Sequence, residues 1–460
     1  MTKHTIVILI DHKGRDLMGA ALIAHHLEKL GHRVNLDPVE SYKAVINARK
    51  PSMVLLNQLG HKNFTDYSVQ LNKWGILVGV LLNEGLCLKE EVREYLSKPQ
   101  FDEHHCDLFL TWNHTHKDAL IKHKFVTPTE NTITVGSPRF DFYREPWKKV
   151  FQKKSDAPGS PVASEKTKVL LNTTFATAHF FDRSEKDQKV LFGLLGSGKV
   201  EHLADHKAII KAHYDGLIKV PQYLAPLLES GDYDITIRPH PREELTFYEK
   251  FIDQLPSEQQ SLIRIDKETP IQNAIIASDI IINCEDCTTS VESWISGKPT
   301  VTLAFAKHPL FFTKLYIERA PVIEDPGDLI PALQNALQNP DQQDFRQLRN
   351  EYLHEWLYKV DGQSSLRAAN TIHELLQDRN PKPSFPRDFS SFRRAIKMRI
   401  LQTIDEPSHA KLSHILKRRF NRFGESITLK DREYQKAVTP KEAKKAVALI
   451  NKVAVKPDTD

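Results

Sequence analysis

The stretch Asp279-Ile-Ile-Ile-Asn283-Cys-Glu-Asp-Cys287-Thr288-Thr289-Ser290-Val-Glu292-Ser-Trp-Ile-Ser296-Gly297-Lys-Pro299-Thr300-Val-Thr-Leu303 decides the fold. Asp279–Asn283 is a short continuous apolar run, the pattern of a strand buried on both faces. Thr288 to Ser296 reads as a helix, opened by hydroxyl residues and closed by Gly297 and Pro299. A second apolar run, Thr300–Leu303, follows at once. Strand, helix and strand in so short a span form a crossover between parallel neighbours.

The same alternation extends outward. Upstream strands are expected at Leu262–Ile265, Asp234–Arg238 and Lys168–Asn172. Residues 151–167 are rich in Pro, Gly, Ser and charge and read as a linker. Before them a second series is expected at Thr5–Ile10, Ser52–Asn57, Gly75–Leu82, Asp107–Trp112 and Thr132–Val135. A helix fits from about Leu17 to Leu30, ended by Gly31. The expected fold class is therefore α/β, with two Rossmann-like domains facing a cleft, 1–150 and 168–380. A basic helical extension is expected over 381–460.

The 460 residues are 40% hydrophobic and 27% charged, enough to bury a core in each domain. No apolar run is long enough to span a bilayer. The run Thr5–Ile10 meets Asp11 too soon for a signal peptide, so a cytoplasmic protein is expected. Four cysteines do not make a disulfide framework, and Cys284-x-x-Cys287 has no second pair to complete a zinc site. The net charge of +5 is uneven: residues 381–460 hold 19 Lys+Arg against 9 Asp+Glu, so the remainder sums to −5.

Ligands of parallel sheets bind beyond the carboxyl ends of the strands. Three polar motifs fall there: Asn83-Glu84-Gly85, Arg238-Pro239-His240-Pro241 and Thr288-Thr289-Ser290. A carboxylate such as Glu84 can accept a proton from an attacking hydroxyl, and Gly85 allows close approach of the backbone to a ligand. His240 can protonate or hydrogen-bond a leaving phosphate and Arg238 can neutralise it. Hydroxyls and N–H groups at a helix start, as at Thr288, Thr289 and Ser290, favour an anion. Each motif also has a plain structural reading: a solvated loop acid, a rigid turn and a helix cap. Asp11, Lys13 and Arg15 follow the first strand and Arg139 follows the fifth, where an acceptor can sit; internal salt bridges are the competing reading. Glu292, one turn into its helix, reads on its own as a surface charge.

Gly193-Leu-Leu-Gly-Ser-Gly198-Lys199-Val200 nearly fits the phosphate loop G-x-x-x-x-G-K-S/T, but Val200 replaces the hydroxyl and no clear strand precedes it. His104-His105 and His114-Thr-His116 lack the companions of a metal site, and no metal or cofactor is expected.

Several stretches, in order, resemble a bacterial surface-carbohydrate biosynthesis family: Leu81-Leu-Asn-Glu-Gly85, Cys106-Asp-Leu-Phe-Leu-Thr-Trp112, Val135-Gly-Ser-Pro-Arg-Phe-Asp141, Val169-Leu-Leu-Asn-Thr-Thr-Phe175, Ile237-Arg-Pro-His-Pro241 and Gly297-Lys-Pro299. The resemblance covers about residues 5–375 and implies a GT-B glycosyltransferase, with 1–150 on the acceptor side, 168–380 for the nucleotide-sugar donor, and Glu292 placed to reach a donor ribose. A more distant resemblance is to GT-B bacterial sialyltransferases. It implies Glu84 as general base, His240 assisting departure of a CMP phosphate, and Thr289 with Ser290 holding that phosphate. Asn83 stands where that pattern has a second acid. Such enzymes need no bound metal.

The implied partners are a nucleotide-sugar donor, with a CMP-linked acidic sugar as one candidate, and a glycan or lipid-linked glycan acceptor. A CDP-glycerol-like polyol-phosphate transferase and a non-catalytic glycan- or nucleotide-binding subunit remain open alternatives. The tail carries Phe389, Phe392, Ile396, Ile400 and Ile404 at helical spacing beside Arg393, Arg394, Lys397 and Arg399, and a second basic cluster over 417–423. It is expected to be an appendage that meets an inner-membrane surface or a partner rather than part of the catalytic body; the competing reading packs its apolar stripe on that body and leaves the charges solvated. No nucleic-acid recognition motif accompanies the charge.

Overall fold

A computed structural model describes residues 3–83, 85, 103–126, 131–152, 166–194, 205–285, 287–305, 308, 318–340, 343–407, 409–419 and 434–454. The chain forms two compact units. Unit 1 holds Met1–Val150 and His354–Asp460, and unit 2 holds Phe151–Leu353.

Unit 1 begins with β1 (Thr5–Ile10), α1 (Lys13–Lys29), β2 (Arg33–Pro38), α2 (Val45–Arg49), β3 (Met53–Leu56) and α3 (Lys62–Lys73). It continues with β4 (Leu77–Leu81), β5 (Leu108–Thr111), α4 (His114–Lys122) and β6 (Thr132–Thr134). The strands pair in parallel in the order β2-β1-β3-β4-β5-β6. Val7, Leu9, Val54, Leu56, Val78, Val80 and Phe109 bring one face of this sheet into an apolar core.

Unit 2 contains β7 (Thr167–Asn172), α5 (Glu185–Leu194), α6 (His206–Ser230), β8 (Tyr233–Arg238), α7 (Thr246–Asp253), α8 (Ser257–Gln260) and β9 (Ile263–Ile265). There follow α9 (Ile271–Ala277), β10 (Ile280–Cys284), α10 (Thr289–Ser296), β11 (Thr300–Leu303), β12 (Val322–Ile323), α11 (Leu329–Gln338) and α12 (Gln343–Leu357). This sheet is also parallel, in the order β12-β11-β10-β7-β8-β9. Strand order reverses between β1 and β3 in unit 1 and between β7 and β10 in unit 2; such switch points are where parallel sheets bind ligands.

The chain returns to unit 1 at His354, in the last turn of α12, and continues with α13 (Ser364–Arg379), α14 (Phe389–Thr403), α15 (Leu412–Arg419) and α16 (Pro440–Ala454). This differs from the expected boundary at 380: residues 354–380 belong to unit 1. The reason is a buried clasp. The carboxylate of Asp141 accepts from Ser364 N–H (3.0 Å), Ser365 N–H (2.8 Å) and the Ser365 hydroxyl (2.7 Å), capping α13. Arg367 Nε adds a bond to the Val135 carbonyl at 2.8 Å. Gly136 at φ +87° supports this turn, where a Cβ would strike the Ser364 hydroxyl.

Nor is 381–460 a free appendage. Met398 of α14 is fully buried in the unit 1 core. α16 packs along α1, where Asn451 Oδ1 meets His25 Nδ1 at 2.5 Å. The second basic cluster lies outside the described residues, apart from the backbone of 417–419. No helix among the described residues is long and apolar enough to cross a membrane.

Candidate functional site

At the switch point of unit 2 the strand registers align three polar stretches. Asn172 stands opposite Arg238 across β7–β8 and opposite Asn283 across β7–β10. The segments that follow these strands therefore leave the sheet side by side.

Glu243 ties them together. It is 5% exposed and accepts four hydrogen bonds. These come from the Thr173 hydroxyl (2.8 Å), Phe175 N–H (2.8 Å), His240 N–H (3.0 Å) and the Tyr248 hydroxyl (2.6 Å). Burial pushes its pKa up, against the pull of those hydrogen bonds. Sequence reasoning missed this residue. The available signal was an acid three positions beyond His240, spaced to take the backbone N–H of the turn.

His240 is thereby held at the backbone. Its Nδ1 accepts from Arg242 N–H at 3.2 Å, which assigns the neutral tautomer with the proton on Nε2. Burial, then the nearby Arg242 and Lys267 cations, lowers its pKa to about 4. The imidazole is thus neutral near pH 7 and presents an Nε2–H donor, not a ready acid. An anion at Nε2 would raise the pKa. Arg238 donates to the Asp266 carbonyl at 3.1 Å, which anchors the guanidinium toward the end of β9.

On the other side of the switch point, the Asn172 amide donates to Asn283 Oδ1 at 2.9 Å and the Thr289 hydroxyl donates to the same oxygen at 2.8 Å. Asn172 Oδ1, Asn283 Nδ2 and Ser290 Oγ are buried without hydrogen-bond partners. These three atoms, unpartnered among the described residues, sit together at the switch point, where water or a ligand could satisfy them. Thr288 is exposed at the start of α10, and its side chain makes no cap bond. Glu292 corrects both expectations: it is 0% exposed, neither a surface charge nor open to a ribose. Burial raises the Cys284 and Cys287 thiol pKa values, Cys287 to about 11, so both thiols stay protonated at neutral pH. Gly193 and Leu194 of the phosphate-loop-like segment end the helix α5, and the rest of that segment lies outside the described residues.

Unit 1 has a small cavity at its own switch point, lined in part by Ile10, Arg15, Asp16, Asn57, Trp112 and Arg139. The polar residues after β1 are engaged with one another. Arg15 bonds Asp11 at 2.9 Å and Asp16 at 2.7 Å, Lys436 bonds Asp11 at 2.8 Å, and Lys13 bonds Glu442 at 2.7 Å. Internal pairing, with half the partners supplied by the tail, is what the structure gives. Arg139 is half-buried, with its guanidinium 5.2 Å from the Phe140 ring centre.

Glu84 lies outside the described residues, but its neighbours are defined. Trp112 Nε1–H donates to the Leu82 carbonyl at 2.9 Å and the Asn113 amide to the Gly85 carbonyl at 3.1 Å. A Cβ at Gly85 would run into the Trp112 indole. The close approach expected of Gly85 is made to Trp112.

No family model matches the sequence, and no curated protein matches it. Solved structures do match. A putative UDP-N-acetylglucosamine 2-epimerase from Listeria monocytogenes is 12% identical, with 82% of this chain and 98% of that one covered at a TM-score of 0.52. S. aureus MnaA with UDP is 13% identical, with 83% and 100% covered and a TM-score of 0.49. The wall teichoic acid polymerase TagF is 12% identical, with 82% and 90% covered and a TM-score of 0.48. With its two parallel six-stranded sheets and helical C-terminal region, the chain has a GT-B type fold built from two Rossmann-like domains.

Proposed function

We propose that the chain is a glycosyltransferase that moves a sugar from a nucleotide-activated donor to a hydroxyl of a glycan or lipid-linked glycan. The observation that carries this reading is the convergence on Glu243: one buried carboxylate fixes the His240 turn beside the Asn172–Asn283–Thr289 cluster at a sheet switch point. The fold it shares with a putative UDP-N-acetylglucosamine 2-epimerase, a protein named for a nucleotide sugar, supports the same donor class.

In this reading the acceptor oxygen bonds to the anomeric carbon and gives its proton to Glu84. The bond from that carbon to the donor phosphate oxygen breaks, and the phosphate keeps the electron pair. His240 Nε2–H hydrogen-bonds the departing oxygen and Arg238 offsets its charge. Thr288, Thr289 and Ser290 hold the phosphate at the start of α10. Lys13 and Arg15, paired with acids, serve the architecture of unit 1, and Arg15 and Arg139 both line the unit 1 cavity in which an acceptor would sit.

A thermal-shift panel of CMP, CDP, UDP and GDP tests the donor class. A nucleotide at about 100 times its Kd stabilises the folded chain by about 2.7 kcal/mol, so one base should stand out. A CMP-linked acidic sugar predicts that CMP does. Product analysis then separates sugar transfer, in which the phosphate leaves with the nucleotide, from polyol-phosphate transfer, in which it moves to the acceptor. No shift with any nucleotide would sink the reading.

A further inference from the structure

We propose that the outward face of α14 docks unit 1 on an anionic lipid surface. The helix has two apolar faces. Ser391, Ala395, Met398 and Leu401 are buried against unit 1. On the opposite side Phe389 is 80% exposed, Phe392 59%, Ile396 41%, Ile400 58% and, at the helix end, Ile404 54%. Steps of three and four residues put these five within an arc of about 120°. Single exposed apolar residues are ordinary, but a continuous row is not. Among the described residues, nine large apolar side chains are exposed, and these five share one helix face.

Charge identifies the occupant. From Phe389 to Thr403 the helix holds Arg393, Arg394, Lys397 and Arg399 and no acid. Arg393, Lys397 and Arg399 are exposed: Lys397 and Arg399, the latter also donating to the Ala48 carbonyl at 3.3 Å, flank the row on its two sides, and Arg393 lies within its arc. Arg394 turns inward and bonds Ser391 Oγ at 2.8 Å. Asp388, at the start, is occupied as the N-cap, accepting from Ser391 N–H at 2.9 Å. A second copy of this chain would set like charges against like across a two-fold interface. A bilayer rich in anionic headgroups supplies both halves of what the face lacks: negative charge at the rim and apolar depth at the centre. The helix is already anchored by Met398, so it need not fold on binding. Lipid would hold it in the interface plane.

The test is co-sedimentation of the full chain with phosphatidylcholine vesicles, with and without phosphatidylglycerol. The wild type should partition onto the anionic vesicles and lose binding at high salt. Phe392→Glu with Ile400→Glu should reduce partition about a hundredfold or more, since both side chains are lost from the apolar row. Arg393→Gln with Lys397→Gln should reduce it about twentyfold at low salt. Both pairs lie on the outer face, so melting should match the wild type; if the Glu pair fails to fold, the Gln pair carries the test. Nucleotide binding should be untouched in either. Absence of wild-type binding to anionic vesicles, or equal binding by the variants, overturns the assignment. So does a wild-type dimer, seen by sedimentation velocity without lipid, that the Glu pair dissolves, because the face would then belong to a second copy.

Discussion

The two sheets carry charged residues at their switch points, and they use them in opposite ways. In unit 1 Asp11, Lys13, Arg15 and Asp16 are neutralised by one another and by Lys436 and Glu442 from the far end of the chain. In unit 2 one buried acid, Glu243, gives its oxygens to backbone and hydroxyl donors, and the ring of His240, with Nδ1 accepting from Arg242 N–H, keeps its proton on Nε2. A charge after a strand is not in itself chemistry. What decides is whether its partner lies elsewhere in the fold, and that partner can be over 400 residues away, as Glu442 is from Lys13.

The sharpest way to break this contrast is His240→Ala. Loss of the leaving-group donor should cut turnover by about 10²–10⁴-fold with melting unchanged. Near-normal steady-state rates would remove His240 from the reaction. Glu243→Gln comes next. The amide cannot accept all four bonds, and a buried unsatisfied donor costs about 1–3 kcal/mol. We expect a lower Tm and a kcat loss of about tenfold to a hundredfold, with nucleotide affinity within about threefold, since the mutation moves His240 without removing it. A fall in affinity alone, with kcat intact, would contradict a positioning role.

The contrast between units also explains what the sequence made legible. Continuous apolar runs such as Thr5–Ile10 and Thr300–Leu303 mark central strands, because burial on both faces leaves no polar alternation to obscure them. The edge strand β2 escaped notice: Arg33–Pro38 is partly exposed for most of its length and includes Asn35 and Asp37. The two-residue β12 is too short to carry a pattern. The motif that begins at Arg238 could be found because it closes such a strand, whereas Asn172 entered only within a stretch that resembles the family. Glu243 could not be given a role, because its partners come from another strand end. Asp141 sat inside a family-like motif, yet its work is done on Ser364 and Ser365, some 220 positions later. Local spacing holds no trace of such closure.

Asp141→Ala tests that closure. Removing the cap of α13 should cost about 1–2 kcal/mol, read as a lower Tm with nucleotide affinity unchanged. An unchanged melting curve would mean that α13 is held to unit 1 by its apolar face alone. The smallest effect is expected for Lys13→Ala. The Lys13–Glu442 pair is about one-third exposed at each partner, and screened pairs of this kind contribute about 0.5 kcal/mol or less. A large loss of activity from this substitution would return Lys13 to the chemistry and undo the contrast between the units.

The central claim is that His240 faces the phosphate of a bound nucleotide, and its imidazole reports this directly. In the free protein the ring is held neutral down to about pH 4 by burial and by Arg242 and Lys267. An anion brought to Nε2 favours the charged ring, so the pKa must rise on binding. Binding then takes up a proton, and affinity strengthens as pH falls from the bound toward the free pKa. The measurement is an NMR titration of the His240 ring, free and saturated with whichever of CMP, CDP, UDP or GDP stabilises the fold, with His240→Ala assigning the signal. The account predicts a midpoint near pH 4 in the free protein that moves upward in the complex. A midpoint that stays in place at saturation would contradict it.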